Sequence, residues 1–389
     1  MVSSKPKKVA VGCQGGGMHA AFEVGVLAEI LKDCEKKKKF ELVGLSGTSA
    51  GALCALMVWY GLAPKKNGSS SVDDTIHKLE RFWEDFVANT GAETVLNFLT
   101  YGAFWAEETE IPVLGINAPI FGLNPAGAFY KAIARSLPHL GVRKQYFDFK
   151  EMFDKHCPDF GSIKWKEVKT RLLIGASEVV NGLETVFDSD VNKKPESVNK
   201  GMQHKNPDYW HQQLPLTLSG VAASGTLPSF REAQRIEGGY YWDGLYSQNP
   251  PVREFLNGVD TEEVPDELWI VRINPQRWPE QPKSNAETMD RENELMGNLS
   301  LHKELDFIMA VNKWRESHKG KFADDYKHVI VRTIKMKEET ADELRYSSKF
   351  DRDRKFMDQL RNEGRAVARD WLDRWPDGIG CYPEDAAYR

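Results

Sequence analysis

Gly47-Thr48-Ser49-Ala50-Gly51 is the one stretch of this chain that fits G-x-S-x-G, a pattern that sets a serine hydroxyl on a tight strand-to-helix turn. Glycines on both sides let the chain reverse sharply, and the following helix N-terminus favours negative charge developing near the hydroxyl. The chemistry this suits is nucleophilic attack on a carbonyl. A small-residue turn with no chemistry fits the five residues about as well. Gly15-Gly16-Gly17 also lies between a strand-like and a helix-like run, and consecutive glycines expose backbone N–H groups that can hold an oxygen anion. Two other readings compete. Gly15, Gly17 and Ala20 come near the G-x-G-x-x-G dinucleotide fingerprint, and glycines also serve close packing of helix on strand. A serine elbow after the next strand favours the oxyanion reading, because adjacent parallel strands would set the two loops side by side.

A serine nucleophile needs a base, and none of the nine histidines stands at a convincing strand end beside a carboxylate. The stretch Glu237 to Gly244 instead carries Asp243 in a Gly/aromatic turn, followed by Asn249-Pro250-Pro251. Taken alone, Asp243-Gly244 is a turn and nothing more.

The elements that must position these residues follow from hydrophobic period. Val9 to Cys13 predicts a strand; Ala21, Val24, Leu27, Ala28 and Leu31 predict a helix; Leu42 to Leu45 predicts a strand and Ala52 to Tyr60 a helix. Further strands are expected at Arg171–Ala176, Leu183–Phe187, Leu268–Ile273 and His328–Ile334, with helices over Asp74–Ala88 and Ser284–Ser317. Strand and helix alternate, which predicts a parallel α/β sheet. From Phe98 to Tyr130 aromatic residues crowd a segment broken by Gly and Pro, read either as a cap over an acyl pocket or as a satellite core. The charged run from Glu338 to Trp375 predicts helix with a solvated face.

With 389 residues, 41% apolar and 28% charged, the composition is that of an ordinary globular protein. A net charge of −5 with dispersed Lys and Arg argues against nucleic acid as a partner. Five scattered cysteines without C-x-x-C spacing argue against a zinc site or a disulfide framework. With no signal-like start and no run of the roughly 20 apolar residues that span a bilayer, the expectation is a cytoplasmic protein that meets a membrane only peripherally.

Four motifs in order carry a resemblance: Gln14-Gly15-Gly16-Gly17, Gly47 to Gly51, Ala223-Ser224-Gly225-Thr226-Leu227-Pro228-Ser229-Phe230, and Asp243-Gly244-Leu245 with Asn249-Pro250-Pro251. Together, over residues 9 to 255, the chain resembles the patatin-like phospholipase family. The resemblance implies a three-layer α/β/α fold with a mainly parallel sheet. Residues 1–258 would form the catalytic domain, with a lid-like insertion at about 64–160, and 259–389 a C-terminal extension of strands and charged helices packed on the core. It implies a serine–aspartate dyad without metal or cofactor: Ser49 as nucleophile, Asp243 as base, the Gly15, Gly16 and Gly17 amides as oxyanion hole, and Gly47 and Gly51 shaping the elbow. The substrate would be a lipid or other acyl ester, cleaved through an acyl-enzyme without calcium. The same dyad would serve a thioesterase, acyltransferase or polyester depolymerase, and a catalytically silent lipid-binding protein is the reading from another class.

An aspartate near its usual pKa of ~3.9 is a poor base for serine, so the dyad requires a partly desolvated Asp243, for which Tyr241 and Trp242 are suited. Where the family usually has Arg or Lys and then Gly after the glycine loop, this chain has Met18-His19-Ala20. That departure weakens cationic support for an oxyanion. His19 is read either as a protonated substitute or as a helix-start residue without a catalytic part.

Overall fold

Val9, Val11 and Cys13 point to one face of a buried strand, β1 (Lys7–Cys13), and Ala10 to the other, so each face of the sheet must be covered. The chain is described by a computed structural model over residues 5–66, 71–108, 148–193, 211–228, 231–257, 259–278, 280–282, 285–317, 320, 325–375 and 378–382. After β1 come α1 (Ala21–Lys37), β2 (Phe40–Gly47), α2 (Ala50–Leu62), α3 (Val72–Glu84), α4 (Gly91–Glu108) and α5 (Phe149–His156). Next are β3 (Arg171–Glu178), β4 (Glu184–Asp188), β5 (His211–Pro215), α6 (Leu218–Ser224), β6 (Gln234–Ile236) and β7 (Gly239–Asp243). The chain closes with β8 (Glu267–Arg272), α7 (Asn285–Ser317), β9 (Ile330–Lys335), α8 (Glu338–Glu343) and α9 (Arg354–Arg374).

The strands form one sheet in the order β5-β4-β3-β2-β1-β8-β9, with the β6–β7 hairpin joining at β3. Pairings of β1 with β2 and β8, of β2 with β3, of β8 with β9 and of β4 with β5 are parallel; β3 with β4 and β7, and β6 with β7, are antiparallel. Helices lie on both faces, giving a three-layer α/β/α protein with a mainly parallel sheet. Against one face pack α1, α2, α3 and α9, in a core that includes Phe22, Leu56, Leu79 and Leu360. Against the other packs α7, whose Leu301, Leu305 and Ile308 meet Ala10, Leu173 and Ile270. Helix α2 is apolar all round and buried from Ala50 to Gly61, as a helix enclosed between sheet and outer helices must be. Among the described residues no helix is long and apolar enough to cross a membrane.

Several expectations need correction. The Gly/aromatic run before Gly244 is not a turn but strand β7, because its aromatic residues pair across the hairpin and against β3. Residues 91–108 form one helix although Phe98 to Trp105 was expected in a broken cap; Ile111 to Leu123 lie outside the described residues. Strand β5 was not anticipated, its His211-Gln212-Gln213 start giving no apolar alternation. The strands expected at Leu268–Ile273 and His328–Ile334 are β8 and β9 of the same sheet.

Helix α9 crosses α1 at bare backbone. A Cβ on Gly364 would stand 2.0 Å from Phe22 O, and one on Gly25 would stand 2.0 Å from Arg361 O. Neither backbone atom can swing aside as a side-chain tip can. Gly364→Ala is therefore expected to lower stability by about 1–3 kcal/mol through overpacking, read as a drop in urea midpoint without a change in far-UV circular dichroism.

Candidate active site

β3 pairs with β2 up to Ile174, which faces Gly47, and from Ala176 onward with β7, whose Asp243 faces Ala176. The two strands run toward each other along one edge of β3 and stop roughly 7 Å apart, two residues of rise. Ser49 leaves the end of one and Asp243 ends the other. Residues separated by almost the whole motif-bearing region thus meet at the carboxyl ends of the parallel strands. There β1 has β2 on one side and β8 on the other, a crevice where open α/β sheets take their ligands.

Ser49 has φ 56° and ψ −126°, a region that serine rarely occupies and that costs on the order of 1–3 kcal/mol. The surroundings hold it there. Its N–H donates to Ser224 Oγ at 3.0 Å, and that hydroxyl donates to Gly175 O at 2.6 Å. The neighbouring Thr48 Oγ1 donates to Gln248 O at 2.6 Å. A Cβ on Gly47 would meet Gly51 O at 2.4 Å, and one on Gly51 would meet Cys13 O at 2.4 Å, so the elbow folds onto the end of β1 only with both glycines. Ser49 itself stays partly exposed at the N-terminus of α2.

Asp243 is fully buried. Its Oδ1 accepts the Leu245 N–H at 2.9 Å, while Oδ2 has no hydrogen bond of regular geometry. Burial pushes the carboxyl up to about 7, against the opposing pull of the Leu245 N–H and of the Ser49 hydroxyl.

The glycine loop lies against the elbow. A Cβ on Gly15 would stand 2.7 Å from Thr48 O and 2.8 Å from Ser49 Cβ. The Gly15 N–H, however, donates to Asn249 Oδ1 at 2.6 Å, and its carbonyl accepts from Asn274 Nδ2 at 2.8 Å. Gly16 and Gly17 are partly exposed and their amides have no partner among the described residues. Gly17 has φ 58°, which favours glycine, and a Cβ there would strike Lys349 O at 2.3 Å. Gln14 fastens the loop from below: Oε1 accepts from the Ile273 and Asn274 amides at 3.2 and 3.3 Å, and Nε2 donates to Asn298 Oδ1 at 3.0 Å.

His19 is buried, with Nε2 2.7 Å from Ser348 Oγ, and burial together with the Lys349 charge holds the imidazole well below its ordinary pKa. Both disfavour the protonated imidazole, which argues against it as a cationic substitute for the residue the glycine loop lacks. No described histidine bonds Ser49 or Asp243, and among the described residues no cluster of His, Cys, Asp and Glu is arranged to hold a metal. Sequence reasoning passed over Asn274 and Asn298, and gave Ser224 and Asn249 no separate part. Ser224 and Asn249 did stand in quoted motifs, whereas Asn274 and Asn298 carry no local signal at all.

Fold and site define an α/β protein with a serine elbow facing a buried aspartate. A family model, patatin-like phospholipase, matches residues 13–256, more than half of the chain, and the chain belongs to that family of lipid hydrolases. Similar solved structures include VipD from Legionella pneumophila, 15% identical over 92% of this chain and 67% of that one, with a TM-score of 0.34. The type III effector protein ExoU is 15% identical over 95% of this chain and 53% of its own length, with a TM-score of 0.31. This chain therefore spans about half of ExoU. No curated protein matches the sequence.

A carboxyl whose pKa is higher folded than unfolded binds more protons in the folded state between the two values. Stability must then fall as pH rises from about 4 toward 7. Asp243→Asn removes that loss and is expected to raise stability by about 1–4 kcal/mol at pH 8 relative to pH 4.5. The comparison is made from urea midpoints of both proteins at both pH values.

Proposed function

We propose that the protein hydrolyses carboxylic esters of lipids through a Ser49–Asp243 dyad. The observation that carries this reading is a strained, partly exposed serine beside a buried carboxyl whose pKa, about 7, suits a general base. The unbonded Oδ2 of Asp243 takes the hydroxyl proton as Ser49 Oγ attacks the ester carbonyl. A C–O bond forms, the carbonyl electrons move to oxygen, and the oxyanion meets the Gly16 and Gly17 amides at the N-terminal end of the turn leading into α1. The Gly15 amide, tied to Asn249, acts by fixing the loop.

Collapse of the tetrahedral adduct breaks the ester C–O bond, and protonated Asp243 hands its proton to the leaving alcohol. Water then attacks the acyl-enzyme, Asp243 accepts a proton from it, and the fatty acid leaves as Ser49 regains its hydrogen. The charge is met by amides and helix dipoles, so the scheme requires no calcium. An aspartate in this role needs no orienting third residue, because the backbone of β7 and the Leu245 N–H already fix it.

Hydrolysis of p-nitrophenyl butyrate with chelator present tests this. Ser49→Ala and Asp243→Asn should fall at least about 10³-fold, and kcat/KM should rise with pH through about 7, where Asp243 ionises. Full activity in Asp243→Asn, or a profile flat from pH 5 to 9, would remove Asp243 as the base. Ser224→Ala should lower kcat more than it raises KM, since its hydroxyl holds the Ser49 backbone to the Gly175 carbonyl.

A further inference from the structure

Behind the proposed dyad, on the sheet face that α7 covers, lies a cavity of about 880 Å³. Alternation along β7 separates it from the elbow: Tyr241 packs into the core that α2 shares, and Asp243 points the same way, whereas Trp242 lines the cavity. The opposite wall is α7, which contributes Met296, Leu299, Lys303 and Phe307. These residues recur at helical spacing on one face over roughly 16 Å of helix. Leu299 and Phe307 are 52% and 51% exposed, so the face is apolar and open to a ligand rather than covered by this chain's described residues.

Its charges are unevenly committed. Glu184 pairs with Arg253 at 3.1 Å, Glu178 accepts the Val180 and Asn181 amides at 3.2 and 2.6 Å, and Glu304 accepts the Val252 N–H at 2.7 Å. Lys303 has no ion-pair partner among the described residues. A long apolar strip with one cation that no described carboxylate pairs fits a molecule with an alkyl tail and a single anionic head, and the volume lies within the range of small-molecule sites.

We infer that this cavity is a second lipid site that binds a long-chain fatty acid, tail along Met296, Leu299, Phe307 and Trp242, carboxylate at Lys303. The choice of a fatty acid over other amphipathic anions rests on the hydrolase reading above, since that reaction releases one. Occupancy would bear on Trp242 and on Ser177, whose hydroxyl donates to the Asp243 carbonyl at 3.2 Å, so the site touches the strand that carries the base.

The test is calorimetric titration of the full chain with monomeric oleate, beside p-nitrophenyl butyrate hydrolysis and sedimentation of the same samples. Saturable binding should weaken by about tenfold or more in Lys303→Glu and be lost in Phe307→Glu, with butyrate hydrolysis and thermal melting close to the parent's. Binding should also survive modification of Ser49 by a small fluorophosphonate. Loss of binding on that modification would make the cavity part of the Ser49 cleft and overturn the inference. So would unchanged affinity in Lys303→Glu, or a parent dimer that Phe307→Glu dissociates while oleate fails to bind, which assigns the face to a second copy. If the parent hydrolyses butyrate but does not bind oleate, the second site fails and the hydrolase reading stands. If it binds oleate through Lys303 but neither hydrolyses esters nor reacts with fluorophosphonate, the site stands and the hydrolase reading fails.

Discussion

Strand β3 lends a single edge to two strands that approach each other head-on, and the distance between Ser49 and Asp243 is set by where they stop. Gly175 occupies the gap. Its carbonyl accepts the Ser224 hydroxyl that also holds the Ser49 amide, and a Cβ at this position would lie 2.7 Å from Thr48 Oγ1. On the β7 side, a Cβ on Gly244 would lie 2.5 Å from the Gly175 carbonyl. Register matters because alternation along β7 sends Trp242 to the opposite face. A slip of one residue against β3 would present an indole to the elbow and carry the carboxyl to α7.

That geometry has a cost which the rest of the fold must offset. A buried carboxyl with an unbonded oxygen and a serine at positive φ each lower stability, and both belong to the proposed dyad. Compensation comes from places without chemistry. Glu267 on β8 is buried and accepts from Arg332 at 2.7 Å, Lys7 at 2.5 Å, Trp269 at 2.9 Å and Trp375 at 2.8 Å, tying β1, β9 and the end of α9 to one carboxylate. Although burial alone would raise its pKa, these partners hold it below the usual range, opposite in sign to Asp243. Two buried acids in one sheet are thus set apart by their partners: one is surrounded by donors, the other left nearly bare.

Much of this was legible in the sequence because short-range patterns carry it. The strand–glycine–helix and strand–serine–helix units read directly from apolar period and loop composition, and α2 declares its burial by being apolar all round. The Gly/aromatic stretch before Gly244 misled because glycine and tyrosine suit a turn locally, while their strand state depends on β3, some sixty residues away. Burial of Asp243 was expected from its aromatic neighbours. Tyr241 does pack into the core, but Trp242 faces away, so only half of that argument describes the cause. Asn274 and Asn298 escaped notice since a lone asparagine has no pattern; their part exists only once β8 and α7 have been laid beside the glycine loop.

The last of these points bears on how the loop works. The elbow is held almost wholly by residues before 250; the glycine loop, tied at Gly15 to Asn249, is held also by residues beyond the family match, which ends at 256. Asn274 and Asn298 fasten Gln14 and Gly15 from one side, and the turn at Ser347–Phe350 presses Lys349 O against Gly17 from the other. The same turn supplies Ser348 to His19 and places the Lys349 charge near enough to lower the imidazole pKa. The resemblance leads one to expect a basic residue just after the glycines; this chain has His19 there, whose protonation burial disfavours, and the nearby cation comes from across the fold. Lys349 is itself drawn to Asn293 at 2.6 Å, so its charge acts on the loop at a distance rather than by contact. Stabilisation of an oxyanion here would then fall mainly to the Gly16 and Gly17 amides, whose orientation the C-terminal third of the chain keeps in place.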